Sequence, residues 1–483
     1  PFHAYFAASS IEEEVASMSY AHRQVADVRR FDKRGDPYPA VDGGAPNYSQ
    51  TSLWVAMGLA LVVAIRLHEL IPPLQVLRPA LLLSIVGGGV LMFRTTQVAW
   101  RAAFREPLVR LVLLYYAWAL FTVPFALFRS LALETATIPV VPQLVLIFAP
   151  ILCAPNTSNL RRLHRAWVYG MVANIVLVFA LGESFGGRLY ATSGLDPNDY
   201  AAMQAMTFPL AAGLALQEKG VARLAAIAAA ALMAIGVVKG GSRGGTLAIA
   251  TSGFVFVMLL GGGRRLLYLA GFILVGVFSW LIAPPQYKRR MTDFFSGVED
   301  YNYTAYSGRK AIWARARIYI ARNPLLGVGI GNFPIVEGEY LKEQGQTGKW
   351  STAHNSYYQS AVELGIPGGL IFVSIVASAL RRGWQLRRWR TGGGADAPRE
   401  QPEFVASIAA YAVSSLFLSH AYFHFFFGLI GLLAFAARVH THSSAHAIVG
   451  TDRDSGARDP TMPNRRTLVV GSPGWRSRRF VSR

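Results

Sequence analysis

Charge is scarce in this sequence. Only 15% of its 483 residues are Asp, Glu, Lys or Arg, against about a quarter in an ordinary soluble domain. At 53% hydrophobic residues, such a chain lacks the polar surface that keeps a large soluble domain in water. Cysteine is nearly absent as well. Cys153 stands alone inside an apolar run, which excludes an intramolecular disulfide and leaves no basis for a cysteine metal site. Residues 1–50 lack the basic start, short apolar run and small-residue cleavage site of a signal peptide; they are polar and rich in turn formers. No internal repeat is evident. Neither glycine cluster carries nucleotide chemistry: Gly240–Gly245 lacks Walker spacing, and Gly327–Gly331 lacks a preceding strand and a following helix fingerprint.

What the sequence does have is long apolar runs. A helix needs roughly 20 mostly apolar residues to cross a hydrocarbon core of about 30 Å. Such runs fall at 52–71, 79–93, 107–128, 136–154, 166–182, 200–217, 221–238, 244–261, 266–283, 357–380, 403–419 and 421–437. The expected fold is all-α, a polytopic membrane protein of about 12 transmembrane helices. Its expected parts are a polar cytoplasmic segment at 1–50, about nine spans over 51–283, a long periplasmic loop at 284–356, about three spans over 357–437, and a basic, disordered cytoplasmic tail at 438–483.

The net charge of +20 raises nucleic acid as a partner. The cations, however, sit in short loops and in the tail, which fits membrane topology better than a nucleic-acid surface. With residues 1–50 inside, the inner loops hold Arg94, Arg101, Arg105, Arg161, Arg162, Arg165, Lys219, Arg264, Arg265 and the 381–390 arginines. The opposite short loops hold only Arg78, Arg129, Arg188, Lys239 and Arg243. This asymmetry follows the positive-inside rule. Within the long outer loop, Ser307 is placed to cap a helix over 308–322 that ends at Asn323-Pro324 and lies on the membrane surface.

Three polar clusters fall on the outer side. Asp196-Pro197-Asn198-Asp199 reads as a turn with Asn198 or Asp199 capping the next helix, or as the polar wall of a substrate cavity. Two carboxylates there are weak grounds for a cation. Gly240-Gly241-Ser242-Arg243-Gly244-Gly245 reads either as a tight hairpin with a snorkelling arginine or as an anion site, where glycines admit the ligand and Arg243 supplies a planar fork for phosphate oxygens. In the third cluster, a helix starting near Asn355 puts Asn355, Gln359 and Glu363 on one face. Glu363 would then lie inside the membrane, where an ionisable group points to function. His354 at the rim is either an interfacial cap or a proton acceptor. His420 and His424 have the spacing of a two-imidazole metal site, but no third ligand is evident and aromatic neighbours favour an interfacial belt.

Taken in order, Asp196-Pro197-Asn198, Ser242-Arg243-Gly244-Gly245, Gly308-Arg309 through Trp313, Asn323-Pro324-Leu325-Leu326-Gly327-Val328-Gly329 with Asn332-Phe333, and His354-Asn355 with Glu363-Leu364-Gly365 resemble the O-antigen ligase and polysaccharide polymerase superfamily of bacterial inner-membrane glycan transferases. The resemblance covers roughly residues 50–440, and the ordered set carries it rather than any single motif. It implies transfer of a glycan from a polyprenyl diphosphate carrier to an acceptor hydroxyl on a lipid or another glycan, at the periplasmic face of the inner membrane. It further implies that Arg243 and Arg309 bind the diphosphate and that His354 acts on the acceptor. Arg188 and the Lys288-Arg289-Arg290 run are secondary anion contacts, the latter equally suited to lipid headgroups. Ser242, Asn355, Gln359, Glu363, Asp196 and Asn198 support the site. Tyr303, Tyr306 and Trp350 are placed to stack on sugars or to pack the loop. No cofactor, metal or nucleic acid is expected; the partners are the lipid-linked donor, the acceptor and membrane lipids. Polymerase or protein O-oligosaccharyltransferase activity remains open within the superfamily. Outside it the rival is a lipid-linked glycan transporter, disfavoured because the polar clusters gather on one face rather than at the midplane.

Overall fold

The computed structural model describes residues 50–185, 188–190, 196–261, 263–295, 308–346, 350–388 and 401–456. The segment 1–49, Gly194, Leu195, Tyr303, Tyr306, Ser307 and the tail from 457 lie outside these residues. Among the described residues the architecture is helical apart from a hairpin of two three-residue strands, Glu183–Phe185 and Arg188–Tyr190.

Helix is found in each of the twelve apolar segments. Among the described residues eight helices are long and apolar enough to cross a membrane: Gln50–Leu70, Pro73–Arg94, Pro107–Phe125, Arg129–Ile151, Thr157–Leu181, Gly220–Gly240, Ser356–Arg387 and His424–His442. Arg243–Met258 and Arg265–Leu281 are apolar but shorter. Pro197–Gln217 and Pro402–Ser414 make up the rest. Pro197–Gln217 is buried almost all round, packed among Thr157–Leu181, Gly220–Gly240, Arg243–Met258 and Pro402–Ser414. A helix lined by protein needs no lipid-soluble surface, so alanine, threonine and glutamine replace larger apolar groups along it. Pro73–Arg94 is the converse, with only 17% of its apolar window buried.

Two departures from the sequence reading have clear causes. The last helix runs on from His424 to Gly456, whereas the tail was expected to be disordered from 438. Arg438 is 2% exposed and donates to the Ile151 carbonyl at the end of a neighbouring helix, so the chain stays packed past 437. The span expected at 357–380 is also interrupted: Gly365 has φ +71 inside Ser356–Arg388. A Cβ there would collide with the Leu325 carbonyl, and one on Gly327 (φ +69) would collide with that of Glu363. The two glycine backbones interlock, and the break lets Ile366 N–H donate to Pro324 O (2.8 Å) while Gly329 N–H donates to Glu363 O (2.8 Å).

The helices alternate in direction, and their connections gather at two ends. At one end Arg165 pairs with Glu218 at 2.6 Å, Gln217 donates to Glu403 at 3.0 Å, and Arg382 meets Glu106 at 3.4 Å. The other end carries all three polar clusters.

Candidate active site

The site is assembled around the 415–423 connection, where the sequence marked only His420 and its aromatic neighbours. Ser356 N–H donates to Ser415 O at 2.8 Å and Ser356 Oγ to Leu418 O at 2.7 Å. His420 N–H donates back to Ser356 Oγ at 2.8 Å. His354 has φ +47, a left-handed conformation rare for a residue with a Cβ. It is fixed there by its N–H, which donates to Ser419 Oγ at 2.9 Å. The imidazole is half-buried.

Asn355 stands just before the helix, and Gln359 N–H donates to its carbonyl at 2.9 Å, one turn along the same face. Asn355 Oδ1 accepts from Tyr357 and Tyr358 N–H at 2.9 and 3.0 Å, and its Nδ2 donates to Leu416 O at 3.2 Å. Gln359 accepts from Ala421 N–H at 3.3 Å. Glu363, 1% exposed, accepts from Gly331 and Phe333 N–H at 2.9 and 3.3 Å. Its carboxylate therefore orders the turn that opens Phe333–Glu343.

The Arg309–Arg322 helix is docked against the same place. Trp313 Nε1–H donates to Ala353 O at 3.0 Å, one residue before His354, and the Trp313 ring stacks on Tyr358. Arg309 opens this helix, one turn before Trp313 and half-buried. Arg315 and Tyr319 turn inward. Arg315 forms a forked pair with Glu337 (Nε to both carboxylate oxygens at 3.1 Å), and Tyr319 Oη donates to Glu337 at 2.7 Å. Burial, then the hydrogen bond and charge of Glu337, raise the Tyr319 phenol well above its ordinary value, so it remains a donor.

Arg243 begins Arg243–Met258, capped by Ser242 Oγ, which accepts from Gly245 N–H at 3.0 Å. Gly241 supplies the turn at φ +64. A Cβ on Gly244 would touch Phe417 and one on Gly245 would strike Ala201, so this helix start is wedged between the 415–423 connection and Pro197–Gln217. Thr246 joins Tyr287 through a 2.8 Å hydroxyl contact.

The helix Pro197–Gln217 is capped by Asp196, not by Asn198 or Asp199. Asp196 Oδ1 accepts from Asp199 N–H at 3.0 Å, and Asp199 Oδ2 accepts from Asp196 N–H at 3.3 Å, a reciprocal capping box. Asn198 Nδ2 donates to Asp196 Oδ2 at 3.2 Å. The other Asp199 oxygen meets His420 Nε2 at 2.7 Å. Arg188 lies in the strand Arg188–Tyr190, which packs beside the ends of Pro197–Gln217 and Gly220–Gly240.

His354, Arg309, Arg243, Asp196 and Asn198 are thus brought to one end of the bundle by a single run of contacts. His420 and His424 are not a pair: His420 joins Asp199, whereas His424 opens the last helix. Among the described residues no three His, Cys, Asp or Glu side chains converge on a point where a metal ion would sit. Trp350 packs on Gly338 with Lys342 Nζ 5.1 Å from its ring centre. Lys288 Nζ contacts Leu281 O at 3.3 Å, Arg289 is exposed, and Arg290 has no described side chain. Asp199 and His420 stood out in the sequence only as a helix cap or cavity wall and as half of a metal pair, and Ser419 not at all; their contacts span 65 to 221 positions, and no local spacing encodes that.

Residues 228–373 match the family model described as O-antigen ligase. No curated protein matches the chain. The matched stretch contains Ser242, Arg243, Arg309, His354, Asn355, Gln359 and Glu363. It supports an O-antigen ligase-like superfamily assignment, and with eight membrane-length helices it supports a multi-pass membrane protein of glycosyltransferase type acting in polysaccharide assembly.

Proposed function

We propose that this chain, similar to O-antigen ligase over residues 228–373, transfers a glycan from a polyprenyl diphosphate carrier to an acceptor hydroxyl at the periplasmic face of the bacterial inner membrane. The observation that carries the reading is the strained His354 backbone, tied at once to the Arg309 helix through Ala353–Trp313 and to the 415–423 connection through Ser419. That connection in turn abuts the Arg243 helix start through Phe417.

The chemistry assigned to these groups balances. His354 takes the proton from the acceptor hydroxyl as its oxygen attacks the anomeric carbon. The carbon–oxygen bond to phosphate breaks, and its electron pair leaves with the diphosphate. The guanidinium groups of Arg243 and Arg309 stabilise the charge that develops there. Arg188 is assigned a secondary role as an anion contact. Attack from the side opposite the leaving group inverts the anomeric centre. No step requires a resident cofactor.

The test uses the purified full chain with polyprenyl-diphosphate oligosaccharide and candidate lipid, glycan and protein acceptors. A glycosidic product of inverted configuration is expected, lost in His354→Ala and Arg243→Ala and retained in chelator. Movement of the lipid across a bilayer without any product would replace this reading with a transporter. Retention of configuration would remove the single-displacement step.

A further inference from the structure

A second polar feature opens at the same end of the bundle and has no part in the chemistry above. The segment Arg66 to Arg78, where the ends of the first two long helices break into the short turns Leu67–Leu70 and Pro72–Gln75, is bounded by two residues in left-handed conformation, Arg66 (φ 51) and Arg78 (φ 42). Arg66 Nε donates to Glu69 at 2.8 Å, and His68 lies 3.9 Å from the same carboxylate. These contacts hold the segment as a rim. Beside it lies a cleft of about 410 Å³, lined by His68, Gln75 and Arg78 from the rim, Glu134 and Thr135 from Arg129–Thr137, and His424 from the start of the last helix. Ala80, Leu81, Leu131, Ile138, Pro139 and Pro142 form the apolar rest of its wall.

The volume lies within the range of about 300–1,000 Å³ typical of small-molecule sites. The chemistry of the wall narrows the ligand. Two imidazoles, a guanidinium, a carboxylate, a carboxamide and a hydroxyl offer donors and acceptors together. A diphosphate gains nothing from Glu134, and an acyl chain gains nothing from any of the six. A sugar uses both kinds of surface: its hydroxyls donate to a carboxylate and accept from Arg and His, and its C–H faces lie on apolar walls.

The cleft is also close to the reacting groups. Ser419 holds the His354 backbone, and His424 lies five residues further along the chain. Five residues span at most about 18 Å when fully extended. From the other side, a Cβ on Gly331 would contact Thr135, and Gly331 is bonded to Glu363 on the helix that follows His354.

We propose that this cleft is a subsite for the sugar portion of one of the two transferase substrates, with Arg78, Glu134 and the two histidines reading its hydroxyls. The proposal rests on the glycan-transfer reading above. Its test separates the two readings, because binding is measured without turnover. Two soluble probes are titrated into the full chain in nanodiscs: the oligosaccharide released by mild acid from the lipid-linked donor, and the deacylated core oligosaccharide of the same bacterium's lipopolysaccharide. Saturation-transfer NMR gives the Kd of each for the wild type, Arg78→Asn, Glu134→Gln and His354→Ala. Asparagine suits the left-handed backbone at 78, and thermal unfolding checks that each variant remains folded.

The expected result is a Kd for one probe weakened about tenfold or more by each cleft substitution and by less than that in His354→Ala. In turnover, the KM of the matching substrate then rises by more than kcat falls. Weakening of the donor-derived probe assigns the cleft to the donor glycan, and weakening of the core probe assigns it to the acceptor. Unchanged binding of both probes to folded cleft variants overturns the proposal. Cleft-dependent probe binding with no glycosidic product overturns the transferase reading and leaves the subsite standing.

Discussion

His354 carries a conformational cost that its own chemistry must justify. A left-handed residue with a Cβ costs roughly 1–2 kcal/mol, and such strain persists where surrounding contacts fix it, as Ser419 does here. Asparagine tolerates this backbone and has no basic nitrogen. His354→Asn is therefore expected to unfold at or above the wild-type temperature while glycan transfer falls about 100-fold or more. Parallel thermal unfolding and initial-rate measurements check both halves. A folded variant with near-normal rate removes His354 from the chemistry.

Asp199 works through another residue. Its link to His420 ties the capped start of Pro197–Gln217 to the connection that positions His354. Asp199→Ala is expected to lower kcat by about 10- to 100-fold through displacement of that connection. Asn, which keeps an acceptor oxygen, is expected to restore most of the rate. Equal loss in both variants would point to the negative charge itself rather than to positioning.

At the scale of elements, the Arg309–Arg322 and Phe333–Glu343 helices stand or fall as a pair. Arg315, 5% exposed, and Glu337, fully buried, form their joint with Tyr319. Removing one partner of a buried ion pair leaves an uncompensated charge and costs about 3–5 kcal/mol. In Glu337→Ala, hydrogen exchange over 308–346 is expected to rise sharply while the bundle helices stay protected. Uniform protection in the variant would show that the pair is dispensable.

The Arg309–Arg322 helix itself was legible, because Ile312, Ala316 and Tyr319 recur at helical spacing and Asn323-Pro324 stops it. That Arg315 faces inward was not legible, since its partner lies 22 positions away. The break at Gly365 was equally hidden: Leu364, Ile366 and Pro367 read as a continuing apolar run, and only the approach of the Pro324–Leu325 backbone demands a glycine there. The Asp196–Asp199 capping box was half legible. Spacing showed a cap in that turn, but which carboxylate takes it depends on Pro197 fixing the first helical position.

For the whole molecule, the twelve apolar segments were readable because bilayer thickness fixes how much apolar sequence a span needs. Burial sorted them further, since a helix enclosed by protein, such as Pro197–Gln217, no longer advertises itself by hydropathy. The proposed reaction needs the end that carries His354 to face outward, and the distribution of loop cations argues for that. Cys153 makes this directly measurable. It is the chain's one cysteine and is fully buried, so it gives little background to a thiol reagent. Gln346 is exposed at the His354 end, and Arg161 is exposed at the end where Arg165 meets Glu218. In intact spheroplasts, a membrane-impermeant maleimide is expected to label Gln346→Cys at once and Arg161→Cys only after the membrane is opened. The reverse pattern would put His354 and both arginines in the cytoplasm, away from a periplasmic acceptor. Labelling of both from outside would mean that an odd number of the helices between 161 and 346 fails to cross. Pro197–Gln217, Arg243–Met258 and Arg265–Leu281, the three in that stretch outside the eight long apolar helices, would then be the first to examine, since a short or enclosed helix has the least need to traverse lipid.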